Sequence, residues 1–99
     1  MREVTRWALY RSSASRGSRL VLTCMADNAN ERGIVTLPVN ILAAMTSLSR
    51  QAVADAIDRL IESGDLVEAM KQGRSVIYRL GCFDEQGNFK AGEATKEAA

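Results

Sequence analysis

A very short connection between two predicted helices is the feature that most restricts how this chain can fold. Apolar residues recur at three- and four-residue spacing in residues 38–45 and again in 49–63, as in helices that each bury one face. Pro38 suits the first turn of the first helix, and the hydroxyl of Ser49 suits the N-cap of the second. Only residues 46–48 remain to join them, so the two helices must be close neighbours in the fold.

The hydrophobic period changes from that of a helix to that of a strand after Gly64, where we expect the second helix to end. Residues 65–70 and 75–80 are strand-like, and the residues between them, 71–74, include a glycine. Two such runs with a short glycine-containing connection predict a β-hairpin.

Two further elements are expected nearer the N-terminus. Residues 19–29 predict a helix with Ser18 as its N-cap, and the β-branched run 34–37 predicts a short strand. The chain therefore predicts an α+β domain over residues 18–80. It is mainly helical, with three core helices and a C-terminal β-hairpin.

The two ends of the chain differ in charge, although the whole chain has a formal net charge of only +1. Residues 1–19 have a balance of +4, and residues 81–99 have a balance of −2. We expect residues 1–17 to be a basic N-terminal arm that suits an anionic partner. Because residues 81–99 lack a periodic apolar face, we expect a flexible acidic tail that folding does not require.

Three apolar side chains of the basic arm lie outside the predicted core elements, namely Trp7, Leu9 and Tyr10. Aromatic side chains of this kind are enriched where a protein meets a partner, and we expect these residues to seal a homodimer. Docking of the arm onto the core of its own chain is an equally open alternative.

Composition excludes several classes of protein. No apolar run is long enough to span a membrane and the first residues have no signal-peptide core, so we expect a cytosolic protein. Cys24 and Cys82 are too few and too far apart for a disulfide framework or a zinc site, which predicts two reduced thiols. The sequence has no histidine, no P-loop and no nucleophile paired with a base, so we expect neither an enzyme nor a metal or cofactor site.

The stretch that contains the helix pair and the hairpin is LAAMTSLSRQAVADAIDRLIESGDLVEAMKQGRSVIYRL, residues 42–80. It resembles a winged helix-turn-helix DNA-binding domain, most nearly those of small phage and plasmid replication or regulatory proteins, and is similar in pattern to multiple-antibiotic-resistance-type repressors. With residues 18–33 included, the resemblance covers about two-thirds of the chain. It implies that the second helix lies in a DNA major groove and that the hairpin is the wing beside it.

One residue of the turn departs from the pattern of that family. Ser47 stands where the family usually has glycine, at a position whose backbone is often left-handed. We expect Ser47 to tolerate that conformation at a cost of about 1 kcal/mol.

The resemblance also implies which residues of the second helix read DNA bases. The matching positions are Ser49, Arg50, Gln51, Ala54, Asp55 and Asp58. Arg50 can donate both arms of its fork to guanine O6 and N7, and Gln51 can pair with adenine. Asp55 and Asp58 are discordant beside phosphates, and each can either accept from a cytosine amine or hold an arginine in place.

The tip of the wing and the approach to the first core helix supply further polar residues. Those of the wing are Lys71, Gln72, Arg74 and Ser75, with Gly73 permitting the tight turn. We expect Lys71 and Arg74 to meet phosphates or to enter the minor groove. Arg16 and Arg19 are expected to grip the DNA backbone, since that contact needs only charge and reach.

Two functions of different class follow. The leading hypothesis is sequence-specific binding of double-stranded DNA, by a transcriptional regulator or by a replication or maintenance factor of a phage- or plasmid-type element. The alternative is a winged-helix module that binds another protein of a replication or regulatory complex, which the modest net charge and the two aspartates favour. A continuous positive surface that joins Arg50, Lys71 and Arg74 would favour DNA.

Overall fold

The helices and strands of the chain are taken from a computed structural model, which describes residues 2–11, 15–73 and 75–90, with only the backbone described at 72 and 75. In chain order they are α1 (Glu3–Leu9), α2 (Arg16–Asp27), β1 (Ile34–Val35), α3 (Val39–Thr46), α4 (Arg50–Ser63), β2 (Leu66–Gln72) and β3 (Ser75–Leu80). The described residues form an α+β fold of four helices and a three-stranded antiparallel sheet, compatible with a winged-helix topology. None of these helices is long and apolar enough to cross a membrane. Residues 91–99 of the predicted tail lie outside the described part of the chain.

Helix α4 begins and ends where its sequence predicts. Ser49 is the N-cap, and its hydroxyl oxygen accepts a hydrogen bond from the backbone N–H of Ala52 at 3.0 Å. Gly64 follows the helix with a φ of 84°, so the left-handed end falls on a residue without a Cβ. The face turned to the core carries Val53, Ala56, Ile57 and Leu60. Because that face is apolar and buried, the polar residues of α4 are left to solvent.

The turn between α3 and α4 takes its shape from Ser47. This residue has a φ of 62° and a ψ of 20°, the left-handed conformation expected there. The hydroxyl of Thr46 donates to the carbonyl of Leu42 at 2.7 Å and accepts from the N–H of Leu48 at 3.3 Å. These bonds fix the turn and therefore the position at which α4 begins relative to α3.

The sheet has the strand order β1-β3-β2, and its neighbouring strands are antiparallel. The predicted hairpin is present, and its second strand has the predicted bounds, but its first strand runs two residues further than expected. Gln72 pairs with Ser75, which leaves only residues 73–74 as the connection. Gly73 has a φ of 57°, which the tight turn requires. β1 is shorter than the predicted strand, because only Ile34–Val35 pairs with β3.

One hydrophobic core joins the helices to one face of the sheet. Leu66 and Leu80 are direct partners across β2 and β3, and both are buried. Val35 of β1 lies on the same face, and helix α2 lays Leu22 and Met25 against the core. The sheet is therefore covered by helices on this side.

The N-terminal segment is not a free arm. Helix α1 packs against α2 and buries Val4, Trp7 and Ala8 in the common core. The guanidinium of Arg2 donates to three carbonyls at the end of α2, those of Ala26, Asp27 and Ala29. The predicted domain start at residue 18 is thus wrong, and the segment follows the alternative of docking on its own chain. Trp7 is only 6% exposed, which removes it from the predicted dimer contact, whereas Tyr10 is 73% exposed.

Helix α2 begins three residues earlier than predicted, at Arg16. Its N-cap is Ser15 rather than Ser18, and the hydroxyl oxygen of Ser15 accepts from the backbone N–H of Ser18 at 3.3 Å. Ser18 is itself buried in the first turn. Gly17 lies inside this capped turn, where the cap offsets the weak helix propensity of glycine.

The stretch that follows β3 packs on the domain instead of forming part of a flexible tail. Cys82 and Phe83 are buried in the core, and the ring centroids of Phe83 and Phe89 lie 5.2 Å apart. Gly33 makes this possible, because a Cβ there would overlap the Phe83 ring. The predicted boundary at Leu80 is therefore wrong: the apolar residues beyond it have no periodic pattern, yet they find partners in the folded chain.

Candidate nucleic-acid interface

The first residues of α4 present their side chains to solvent. Ser49, Arg50 and Gln51 are exposed and Ala54 is half-buried, since the buried face of the helix begins at Val53. Among the described residues, none forms a hydrogen bond or an ion pair with the side chain of Arg50. Its guanidinium, with its donors in a fixed fork, is thus available to a ligand.

Gln51 and Asp55 bind each other on the exposed side of α4. The side-chain Nε2 of Gln51 donates to Oδ1 of Asp55 at 2.9 Å, as residues four apart on a helix can do. Asp55 therefore orients the side-chain amide of Gln51, and not an arginine, which the sequence alone allowed. The bond leaves Gln51 with its carbonyl oxygen and one N–H for a further partner.

Beyond its first turn, α4 presents an acidic outer side. Asp55, Asp58 and Glu62 are exposed, and none of them forms an ion pair in the described part of the chain. Burial raises the pKa of the Tyr78 hydroxyl, and the carboxylates of Glu68 and Asp58 raise it further. Tyr78 hence remains a neutral hydrogen-bonding group beside this negative surface.

The hairpin has one basic side chain near its tip whose position the structure describes. Lys71 of β2 is exposed, and it pairs with Val76 of β3. Arg74 lies outside the described residues, and the side chains of Gln72 and Ser75 are not described, so the roles predicted for these three stay predictions.

A cleft of about 420 Å³ connects α4, the hairpin and the start of α3. Arg50 and Ile57 line it from α4, and Val76 and Tyr78 line it from β3. The rest of its wall is formed by Thr36, Leu37, Pro38, Val39 and Asn40. Val76 is the direct strand partner of Lys71. The cleft wall that Val76 forms therefore adjoins the strand position that carries a second basic side chain besides Arg50.

The two arginines near the start of α2 differ in their availability. Arg16 is exposed, and its predicted phosphate contact stays a prediction. Arg19 is half-buried, and its Nη2 donates to the backbone carbonyl of Arg11 at 2.8 Å. A grip on the DNA backbone by Arg19 would compete with this bond, so the geometry disfavours the role predicted for it.

Sequence reasoning did not find the polar wall of the cleft, which comes from Thr36, Asn40 and Tyr78. For Tyr78 a signal exists: it lies two residues before the buried Leu80, so both side chains point to the helix-facing side of β3. For Thr36 and Asn40 no local signal exists, because the cleft arises only when α3 and the hairpin pack together.

No protein-family model, curated protein or solved structure matches the chain. The function is therefore inferred from the described geometry, together with the pattern of the sequence.

Proposed function

We propose that this chain is a winged helix-turn-helix protein that binds double-stranded DNA at specific sequences. Helix α4 is its recognition helix and the β2–β3 hairpin is its wing. In the cytosol it serves as a transcriptional regulator or as a replication or maintenance factor of a phage- or plasmid-type element. The observation that carries this proposal is the position of Arg50, which is exposed, unpaired among the described residues and in the same cleft as Val76, the strand partner of Lys71.

The two basic side chains, Arg50 and Lys71, have different tasks in this proposal. Arg50 lies at the first residue of α4, and this end of a recognition helix is the part that meets base edges in the major groove. Its fork matches guanine O6 and N7, so it contributes sequence preference. Lys71 is on the hairpin and meets phosphates, so it contributes affinity without preference.

A selection of binding sites from random duplexes tests the proposal directly. The full chain is expected to enrich a common sequence and to bind it more tightly than random duplex at one stated, physiological salt concentration. Retention of no common sequence, together with equal binding of selected and random duplexes, would refute it.

A second candidate function is favoured by the acidic side of α4. Asp55, Asp58 and Glu62 would be repelled by phosphates, and Asp55 is the acceptor for Gln51, which is itself a predicted base reader. In this alternative the same face of α4 binds a basic protein of a replication or regulatory complex. Specific binding to DNA that the Arg50→Ala change abolishes would decide against it.

A homodimer on DNA is part of the leading proposal. One winged helix makes a small interface with DNA, and strong specificity usually needs two half-sites. Of the three residues predicted to form the dimer contact, Tyr10 is the most exposed and Leu9 is half-buried. Sedimentation of the full chain and of Tyr10→Ala tests this contact, and a wild-type protein that is monomeric both alone and on its selected duplex would rule it out.

A further inference from the structure

The sheet has a second face, which points away from the helices and from the cleft. On β3, Tyr78 lines the cleft and Leu80 is buried in the core, so the alternating residues Ile77 and Arg79 point to the opposite side. The strand register adds their neighbours on both flanks. The outer sheet face, as we call this surface, consists of Ile34, Val67, Met70, Ile77 and Arg79.

Arg79 occupies the centre of this face. Ile34 of β1 and Val67 of β2 are its direct partners on either side, so the arginine stands in a row between two apolar side chains. The next row pairs Ile77 with Met70, and Met70 is 53% exposed. The outer sheet face therefore surrounds a single positive charge with apolar side chains.

The guanidinium of Arg79 lacks a partner in the described part of the chain. Its Nε is buried without a hydrogen-bond acceptor, and no described residue forms an ion pair with the side chain. A buried donor without an acceptor is unfavourable, and the remaining N–H groups of a guanidinium make strong, charge-assisted bonds to a carboxylate. Arg79 is half-buried, so the exposed part of its side chain offers such donors to the carboxylate of a partner.

We propose that the outer sheet face binds a segment of another protein that carries an Asp or Glu between apolar residues. The carboxylate pairs with Arg79, and the apolar residues cover Ile34, Val67, Met70 and Ile77. A second copy joined by a two-fold axis through Arg79 does not fit, because it would bring Arg79 against Arg79, and the residues of this face include no carboxylate that a second copy could offer. The complementary charge must come from a different surface.

This site is independent of the proposed DNA contact. Lys71 pairs with Val76, which lines the cleft, whereas Ile77 and Arg79 lie on the other side of β3. A protein bound at the outer sheet face would therefore leave Arg50 and the cleft open. Failure of DNA binding would not disprove this inference, and its own failure would leave the DNA proposal standing.

Selection of displayed random peptides on the full chain tests the proposal, with synthetic copies of the enriched peptides as the probe in calorimetry. We expect the enriched peptides to have an Asp or Glu between apolar residues. Binding should weaken about tenfold or more with Arg79→Leu, because the peptide carboxylate then loses its partner. The matched control is Arg59→Leu, which removes an exposed arginine from α4 and should leave the Kd unchanged.

Three further measurements separate a loss of binding from a loss of folding. Arg79→Leu should melt no lower than the wild type, since it removes the donor without an acceptor. Met70→Glu places a carboxylate at an exposed position of the same face and should also abolish peptide binding. In a double-mutant cycle, Glu→Gln in the peptide should add no further loss to Arg79→Leu.

Several outcomes would overturn the proposal. The first is enrichment of peptides without an acidic residue, and the second is binding by Arg79→Leu that equals that of the wild type. The third is an NMR titration with the peptide in which the amide chemical shifts change on α4 instead of on the hairpin. A wild-type dimer that Arg79→Leu dissociates would assign the face to a second copy. Peptide binding that appears only after deletion of residues 91–99 would show that these residues of the same chain occupy the outer sheet face.

Discussion

The Nε of Arg11 lies 2.9 Å from Oδ1 of Asp65, and this pair ties the segment after α1 to the residue that precedes β2. The side chain of Asp65 is only 2% exposed and that of Arg11 is 16% exposed. The guanidinium of Arg11 also stacks 5.3 Å from the centre of the Trp7 ring, and the hydroxyl of Ser63 donates to Oδ2 of Asp65 at 3.1 Å. Charge thus fastens the N-terminal segment to the start of β2, while apolar contact fastens α1 to α2.

Removal of one member of this pair should destabilise the fold more than removal of both. Asp65→Asn leaves the Arg11 charge largely buried without its partner, and we expect a loss of about 2–4 kcal/mol in the free energy of unfolding. The double variant Arg11→Met, Asp65→Leu replaces the pair by apolar side chains and should recover most of that loss. Urea denaturation of the three proteins measures both effects, and equal losses for single and double variants would contradict this account.

The stretch after β3 should be required for stability up to Lys90. Phe83→Ala removes a ring that is buried against Gly33 and Phe89, and we expect a loss of about 3–5 kcal/mol. Truncation after Leu80 should lower the melting temperature by many degrees. Truncation after Lys90 is the matched control, for which we expect almost no change. A chain that ends at Leu80 and melts like the wild type would show that this packing contributes little.

The two basic side chains of the proposed interface should respond differently to substitution. Arg50→Ala should cost about 1–3 kcal/mol on the selected duplex and far less on random duplex. Lys71→Ala should weaken binding to both duplexes by a similar factor and lower the salt slope by about one per half-site. Arg59→Ala, which removes one charge elsewhere on α4, controls for general loss of charge. An unchanged ratio of specific to random binding in Arg50→Ala would exclude α4 as the reader.

Ser47 should be replaceable with a gain in stability. Its φ of 62° is unfavourable for a residue with a Cβ, by about 1–2 kcal/mol, and glycine lacks that penalty. Because glycine also makes the unfolded chain more flexible, we expect Ser47→Gly to stabilise by only about 0.5–1 kcal/mol. Thermal unfolding measures the gain, with Ser47→Ala as the control that keeps the Cβ and should gain nothing.

The thiol of Cys82 should make stability depend on alkaline pH. Burial raises its pKa from 9.0 to about 12, although a backbone hydrogen bond and Arg11 oppose the shift. The unfolded chain therefore loses this proton first, so the contribution is complete below pH 9 and is lost as the pH rises towards about 12. Urea midpoints across that range, compared with those of Cys82→Ala, isolate the effect. A parallel decline in the two proteins would remove Cys82 as its cause.

The sequence reveals α4 because every signal for it is local. Ser49, Gly64 and the spacing of its apolar residues lie within the helix or beside it. Burial of Trp7 and Phe83, by contrast, depends on partners distant in the chain, such as the space above Gly33. Short segments without a period give no sign of such partners, so the sequence predicts both domain boundaries too far inward.

The same distinction applies to the candidate site. Exposure of Arg50 follows from its position on the helix, and the bond between Gln51 and Asp55 follows from their spacing of four. The bond from Arg19 to the backbone of Arg11 involves a loop carbonyl, and no spacing rule indicates it. Residues on the front of one helix were therefore predictable, and contacts between elements were not.

The single core that contains both Val4 and Phe83 has a consequence for synthesis on the ribosome. Helix α1 leaves the exit tunnel early, but Phe83 follows only after nearly eighty further residues. Until then the space above Gly33 that the Phe83 ring fills is uncovered, and long-range contacts of this kind close late. The growing chain is for this reason expected to expose apolar surface to proteases and chaperones until Phe83 has emerged.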